Sequence, residues 1–257
     1  MTVNPLLKKF FIVLNRPRIP ENIGASARAI CNMGLGGLVV VAPENPDLEK
    51  MLKMATHKAA HLIKGMKIYS NLKEALANFG YIIGTTARTG GIRKPILTPR
   101  EVAAGLFQFA AQNQIAIVFG SEDRGLTNQE IRFCHQLVKI PVAEFGSLNL
   151  AQAVMVISYE IFLASFQPPQ RASPRLATSQ ELELMYEKIK DILIKISFIQ
   201  PENPDHWMMN IRRFFSRIGL RSNEVNLIMG ICRQIEWFGK ARFKDQNESL
   251  TPEKDNK

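Results

Sequence analysis

The stretch Glu144–Val154, EFGSLNLAQAV, joins two apolar runs of different character. Before it, LVKIP (137–141) is strand-like; after it, LAQAVMVISYEIF (150–162) is long enough only for a helix. Gly146, Ser147 and Asn149 stand between them. A serine or asparagine at a helix start is usually a cap, worth about 1 kcal/mol. One residue suffices for that, so three small or polar residues together also make a candidate site.

The same strand-to-helix alternation extends back to the start of the chain. FFIVLN (10–15), GLVVVA (37–42), YIIGTT (81–86), IAIVFG (115–120) and QLVKIP (136–141) read as strands, and KIYS (67–70) as a short one. Helical patterns lie between them at 21–34, 48–63, 71–79 and from Thr98 onward, with a short helix after Thr127 and a last one over 149–166. Such alternation predicts an α/β domain over 1–167, with a mostly parallel sheet and helices on both faces. PPQRASPRLATS (168–179) reads as a linker. Residues 180–257 form a small α-helical extension, with helices near 180–198, 205–218 and 222–239 and a disordered, charged tail from about Ala241.

Composition narrows the function classes. No apolar run reaches the roughly 18–20 residues of a membrane span, and MTVNPLLKKFFIVLN leads into a strand rather than a cleavage site, so neither a membrane nor a signal peptide is expected. Three scattered cysteines, Cys31, Cys134 and Cys232, point to a reducing, cytoplasmic setting without a disulfide framework. The net charge is +10, of which +7 falls within residues 1–170. A basic folded domain suits a polyanion, most commonly nucleic acid; solubility alone is the plain alternative. GxGxxG after the first strand and GxxxxGK[ST] are both absent from the sequence, which removes the common dinucleotide and P-loop readings.

Four polar clusters follow predicted strands, where open α/β sheets place ligands. RPRIPENIGASARA (16–29) carries Asn22 at a helix entrance and Arg28 on a stripe of small residues, where a cation needs a partner or a pocket. GTTARTGG (84–91), with Arg88, Arg93 and Lys94 on one loop, lets a ligand approach the backbone closely. FGSEDRGLT (119–127) places Glu122 in a glycine-bounded turn; Thr127 and Glu130 form a capping box and are explained by it. EFGSLNLAQAV is the fourth. His57 and His61 have the spacing of a metal pair, but no third ligand is suitably placed and no metal is expected. MMNIRRFFSRIGLRS (208–222) has two readings. It is an RNA-binding face of arginines and aromatics, or Phe214, Phe215 and Ile218 are a bundle core with the arginines outside.

Taken in order, ENIGASARA, FGSEDRGLT and IPVAEFGSLNLAQAV resemble the three motifs of the SpoU/TrmH group of SPOUT RNA 2′-O-methyltransferases. The helices around FIQPENPDHWMMNIRRFF and NEVNLIMGI resemble the extension of its TrmJ branch, which methylates tRNA at position 32 in the anticodon loop. The resemblance implies a SPOUT fold with a C-terminal deep trefoil knot, an exception to the unknotted rule, a homodimer, and S-adenosylmethionine as cofactor. It places the cofactor on Thr85, Thr86, Ala87, Gly120, Ile140, Gly146, Ser147 and Leu148. It implies that Arg28, from the partner subunit, acts on the ribose hydroxyl and that Asn22, Glu122, Ser147 and Asn149 complete the site. Candidate RNA contacts are Arg16, Arg18, Arg88, Arg93, Lys94, Arg124, Arg212 and Arg213. Asp123 is a further carboxylate without an assigned purpose. The expected activity is thus S-adenosylmethionine-dependent methylation of a tRNA ribose. A ribosomal-RNA enzyme of the same fold and a non-catalytic RNA-binding module are the alternatives.

Overall fold

The computed structural model describes residues 3–87, 96–143, 148–167, 173–200, 202–216 and 218–248. It divides into two compact units, Met1–Gln180 and Glu181–Lys257.

In the first unit, FFIVLN forms β1 (Phe10–Asn15), which is apolar on both sides and therefore central. Phe10, Ile12 and Leu14 enter one buried cluster and Val13 enters another on the opposite face. The other strands are β2 (Gly37–Val41), β3 (Lys67–Tyr69), β4 (Tyr81–Thr85), β5 (Ile96–Leu97), β6 (Ile115–Phe119) and β7 (Gln136–Val138). Their order is β3-β2-β1-β6-β4-β7-β5, and every described pairing is parallel. Helices α1 (Pro20–Asn32), α2 (Leu48–Lys64), α4 (Pro99–Ala110) and α6 (Leu150–Ala164) pack on one face. The short α3 (Leu72–Leu76) and α5 (Asn128–Ile131) cover the other.

Local chemistry sets the helix boundaries. α1 starts with Pro20 in its first turn, α2 is capped by Asp47 on the Lys50 amide, and α4 by a reciprocal Thr98–Glu101 box. Gly24 is needed for the α1–α2 approach: a Cβ there would stand 2.1 Å from the Met51 carbonyl oxygen. β5 went unread in the sequence because two residues carry no period. The segment expected as a linker is, in its described part, fastened to the first unit. Ser173 N donates to Gln108 O (2.8 Å), Leu176 N to Asn113 Oδ1 (3.0 Å) and Ser179 N to Phe79 O (3.0 Å).

The second unit is built from α7 (Ser179–Lys195), α8 (Pro204–Ser216) and α9 (Ser222–Glu248). α9 runs on past Ala241, where the sequence suggested fraying, because the polar residues there are helix formers and the first breaker is Pro252. Glu236 on α9 accepts from Lys188 Nζ (2.6 Å) and Lys195 Nζ (2.5 Å) of α7. Together these cations hold its carboxyl down at about 2. Arg212 on α8 forks onto Glu183, with Nη2 2.8 Å from Oε2, and lies 4.3 Å from the Tyr186 ring centre. Burial pushes the Tyr186 hydroxyl up to about 12 against the opposing charge of Arg212. The arrangement overturns the bundle-core reading of MMNIRRFFSRIGLRS for two of its three residues: Arg212 faces inward and Phe214 and Ile218 are exposed, whereas Phe215 is half-buried, its ring 6.3 Å from that of Tyr186. None of the described helices is long and apolar enough to cross a membrane.

Candidate functional site

Asn22, Glu122 and Asn149 come from three segments more than a hundred residues apart at the extremes, and the fold joins them. Asn22, 6% exposed in the first turn of α1, donates from Nδ2 to Glu122 Oε1 (2.9 Å). Asn149 donates from Nδ2 to Asn22 Oδ1 (2.9 Å). Its own Oδ1 accepts from the amides of Ala151 (2.9 Å) and Gln152 (3.4 Å), closing a capping box at the start of α6. The direction of this relay follows from charge. Glu122 as a carboxylate only accepts, so Asn22 must offer its NH2 to it and its oxygen to Asn149. Asn149 is then left with an oxygen for the helix amides. Cap and site are two ends of one side chain.

Glu122 also grips the loop after β1. It accepts from the backbone amides of Arg18 (Oε2, 2.9 Å) and Ile19 (Oε1, 3.3 Å). The turn that carries it is bridged between Ser121 and Gly125, with Gly125 N donating to Ser121 O at 2.9 Å. Gly120 has no room for a side chain: a Cβ would lie 2.0 Å from the Gly125 carbonyl carbon. Asp123, without a purpose in the sequence, accepts from Ser121 Oγ (2.9 Å) and pairs with Arg18 (3.3 Å) and Arg124 (3.5 Å). The Ser121 bond first, and then the two arginines, lower its carboxyl below the ordinary range.

Arg28 is not part of this cluster. Six helical positions from Asn22 place it about 120° round α1, and it is exposed, with no ion pair or hydrogen bond among the described residues. A residue free in this way can meet a group brought from outside the chain. Most of the described candidate RNA contacts have protein partners. Arg16 pairs with Glu130 (2.8 Å), Arg18 with Glu44 (2.9 Å) and Asp123, and Arg212 with Glu183. The bond to Glu44, with its charge, raises Arg18 above the ordinary arginine range. Arg124 is largely exposed beside Asp123, and Arg213 is half-buried. Arg88, Arg93, Lys94, Gly146 and Ser147 lie outside the described residues. His61 of the candidate metal pair turns its Nδ1 to Lys58 O (3.0 Å).

Five of the expected cofactor residues lie at the C-terminal ends of three neighbouring strands. Thr85 ends β4 and Thr86 and Ala87 follow it, Gly120 follows β6, and Ile140 follows β7. Leu148, 37% exposed, precedes α6. These residues are uncharged, and they combine half-exposed aliphatic side chains with backbone groups. That donor set fits a purine ring and a thioether chain, and it lacks the carboxylates that hold a hard metal ion. The sequence reading missed Glu44 and Asn15 and gave Arg18 only as an RNA contact, because their partners depend on sheet order rather than on any local spacing.

Comparison with known proteins returns two family models. The SpoU rRNA Methylase family matches residues 9–159, and the C-terminal domain of tRNA methyltransferase TrmJ matches residues 180–248. The tRNA (cytidine/uridine/adenosine-2'-O-)-methyltransferase TrmJ of Pseudomonas aeruginosa is 36% identical over 245 residues, covering 90% of this chain and 95% of that protein. The tRNA (cytidine/uridine-2'-O-)-methyltransferase TrmJ of Klebsiella pneumoniae is 34% identical over 246 residues, covering 92% and 100%. Among solved structures, TrmJ from Z. mobilis ZM4 has a TM-score of 0.75 at 30% identity and covers 88% of this chain and 98% of its own. A probable methylase family protein from Haemophilus influenzae Rd KW20 has a TM-score of 0.59 at 31% identity, covering 92% and 99%.

Proposed function

This chain belongs to the SpoU methylase family, within its TrmJ branch, and on that premise we propose that it methylates the ribose 2′-hydroxyl of tRNA, using S-adenosylmethionine. The observation that carries the reading is the Asn22–Glu122–Asn149 relay, which ties the three signature segments into one site. The target within tRNA is position 32 of the anticodon loop, the nucleotide implied by the resemblance to the TrmJ branch. The enzyme works as a cytoplasmic homodimer.

Thr85, Thr86, Ala87, Gly120, Ile140, Gly146, Ser147 and Leu148 would hold the cofactor. When bound, it supplies a methyl group already activated on a sulfonium sulfur, so the protein needs neither a metal nor a covalent nucleophile. What remains for the protein is alignment and charge. The relay fixes the first turn of α1 against the start of α6, and Glu122 fixes the loop before α1. Arg28 meets the ribose oxygen. A guanidinium stays protonated and is a poor base, so its part is to stabilise the alkoxide as the proton leaves and to orient the RNA. Because Arg28 stands away from Asn22 on its own chain, the complete site takes Arg28 from a second subunit. The exposed apolar residues Val156, Tyr159 and Leu163 on α6 give that subunit a face to cover. The reading includes the trefoil knot, which the insertion of β6 between β1 and β4 and of β7 between β4 and β5 supports.

The test is methyl transfer from labelled S-adenosylmethionine to unmodified bulk tRNA and to ribosomal RNA, followed by mapping of the modified ribose. Methyl incorporation at a tRNA 2′-oxygen is expected. Transfer to ribosomal RNA alone, or tRNA binding without transfer, would refute the reading.

A further inference from the structure

Glu130 closes a capping box at α5, with Oε2 accepting from the Thr127 amide at 2.7 Å. A cap needs no more than that, yet Oε1 has two further partners. It accepts from Asn15 Nδ2 at 2.8 Å and lies 2.8 Å from Arg16 Nη2. Both partners are unusual. Asn15 is 2% exposed at the C-terminal end of the central strand. Arg16 has a φ of 55°, in the left-handed region that a residue with a Cβ seldom takes. Its Nε is buried with no hydrogen-bond partner among the described residues. A strained backbone of this kind persists only where its surroundings over-determine it, and the ion pair to Glu130 is one such restraint.

The residues that follow are those Glu122 grips, Arg18 and Ile19, and after them α1 begins with Asn22 and Arg28. Two carboxylates from the same segment after β6 therefore hold one short loop, one at its entrance and one at its exit. We propose that Glu130 is a positioning residue of the methyl-transfer site. Through Asn15 and Arg16 it sets the loop that delivers Asn22 to the relay and orients α1 with Arg28. On this reading Arg16 belongs to the brace and is not a phosphate contact. The inference rests on the methyltransferase reading above.

The experiment compares methyl transfer at saturating tRNA and cofactor for the full-length wild type, Glu130→Gln, Arg16→Ala, Arg16→Gly and Thr127→Ala, with KM for tRNA measured in each. Glu130→Gln and Arg16→Ala are expected to lower kcat about tenfold or more with tRNA KM within about twofold, as for a misplaced catalytic group. The two changes combined should cost no more than either alone. Arg16→Gly should recover part of the loss, since glycine takes the left-handed conformation freely. Thr127→Ala, which weakens the cap but leaves Asn15 and Arg16 in place, should keep the wild-type kcat. Three results would overturn the proposal: wild-type kcat in Glu130→Gln, equal damage from Thr127→Ala, or a loss confined to KM. If Glu130→Gln does not fold, Arg16→Ala, altered at a half-exposed side chain, decides the matter by the same readings. A wild type that transfers no methyl group to tRNA would refute the functional reading instead.

Discussion

Gly120 and Gly125 lie in one turn, and replacing each with alanine should give very different results. A Cβ on Gly120 would sit 2.0 Å from the Gly125 carbonyl carbon, 2.3 Å from its oxygen and 2.3 Å from the Leu126 nitrogen. All three are backbone atoms and cannot rotate aside. Reaching the 3.4 Å of ordinary contact asks for a displacement of about 1.4 Å. Glu122 is two residues away and holds Arg18 N at 2.9 Å and Asn22 Nδ2 at 2.9 Å. A shift of that size breaks both bonds, because neither reaches much past 3.2 Å. Overpacking against rigid atoms costs about 3 kcal/mol, at the upper end of the usual range. For a unit of this size that is a fall of roughly 6–12 °C in Tm. Gly125 has φ +63° and nothing within 4 Å of the added Cβ. Its alanine variant bears only the left-handed penalty of about 1 kcal/mol, or roughly 2–4 °C. Thermal unfolding of both variants, with methyl transfer measured well below each midpoint, tests the reasoning. Gly120→Ala should lose activity along with stability, whereas Gly125→Ala should keep most of its activity. Equal melting of Gly120→Ala and wild type, or a larger loss in Gly125→Ala, would refute this account of the turn.

Arg28→Lys keeps the charge but loses the planar fork; because Arg28 is exposed and unpaired among the described residues, Tm should stay unchanged while methyl transfer falls about a hundredfold, as for a lost oxyanion donor. Wild-type turnover in that variant would end its assigned role. Asn149→Asp caps a helix as well as asparagine, so its loss of stability, about 1–3 kcal/mol, comes from the relay and not from the cap. The substitution sets a carboxylate oxygen against Asn22 Oδ1, and flipping Asn22 only passes the mismatch to Glu122. Methyl transfer should therefore fall about tenfold or more, and full activity would remove Asn149 from the relay. Glu236, held at about 2 by Lys188 and Lys195, binds its proton more weakly folded than unfolded. Its stabilisation of the second unit is present above its ordinary value near 4.5 and is lost as pH falls from there towards 2. Melting curves of wild type and Glu236→Gln should converge across that interval, and parallel curves would contradict the assigned pair.

What could be read from the sequence depended on whether a feature is local. β1, β2, β4 and β6 were legible because an apolar run bounded by turn residues is a property of neighbouring residues. The Thr98 and Thr127 caps were legible for the same reason. The helix α8 was legible too, but its inward face was not, because it carries Trp207, Phe214 and Phe215 beside Arg212 and Arg213, so its period marks two faces without saying which one turns inward. That choice was made by Glu183 and Tyr186 on another helix, where a carboxylate and a ring together make a buried site for a guanidinium. The candidate site divides in the same way. Asp123 had no purpose in isolation, because Arg18 lies 105 residues away and meets it only once β6 has inserted beside β1. Asn149 shows the limit most clearly. Its Oδ1 bonds, to Ala151 and Gln152, are local and were read as a cap; its Nδ2 bond, to Asn22, spans 127 residues and could enter only through the family resemblance. A serine would have capped the helix, and so would an aspartate. Aspartate has no donor, and serine and threonine donate and accept through one oxygen; of the four good caps only asparagine carries its acceptor and its donor on separate atoms, aimed at separate partners. The residue type at position 149 is therefore set by the distant partner, and the local pattern merely permits it.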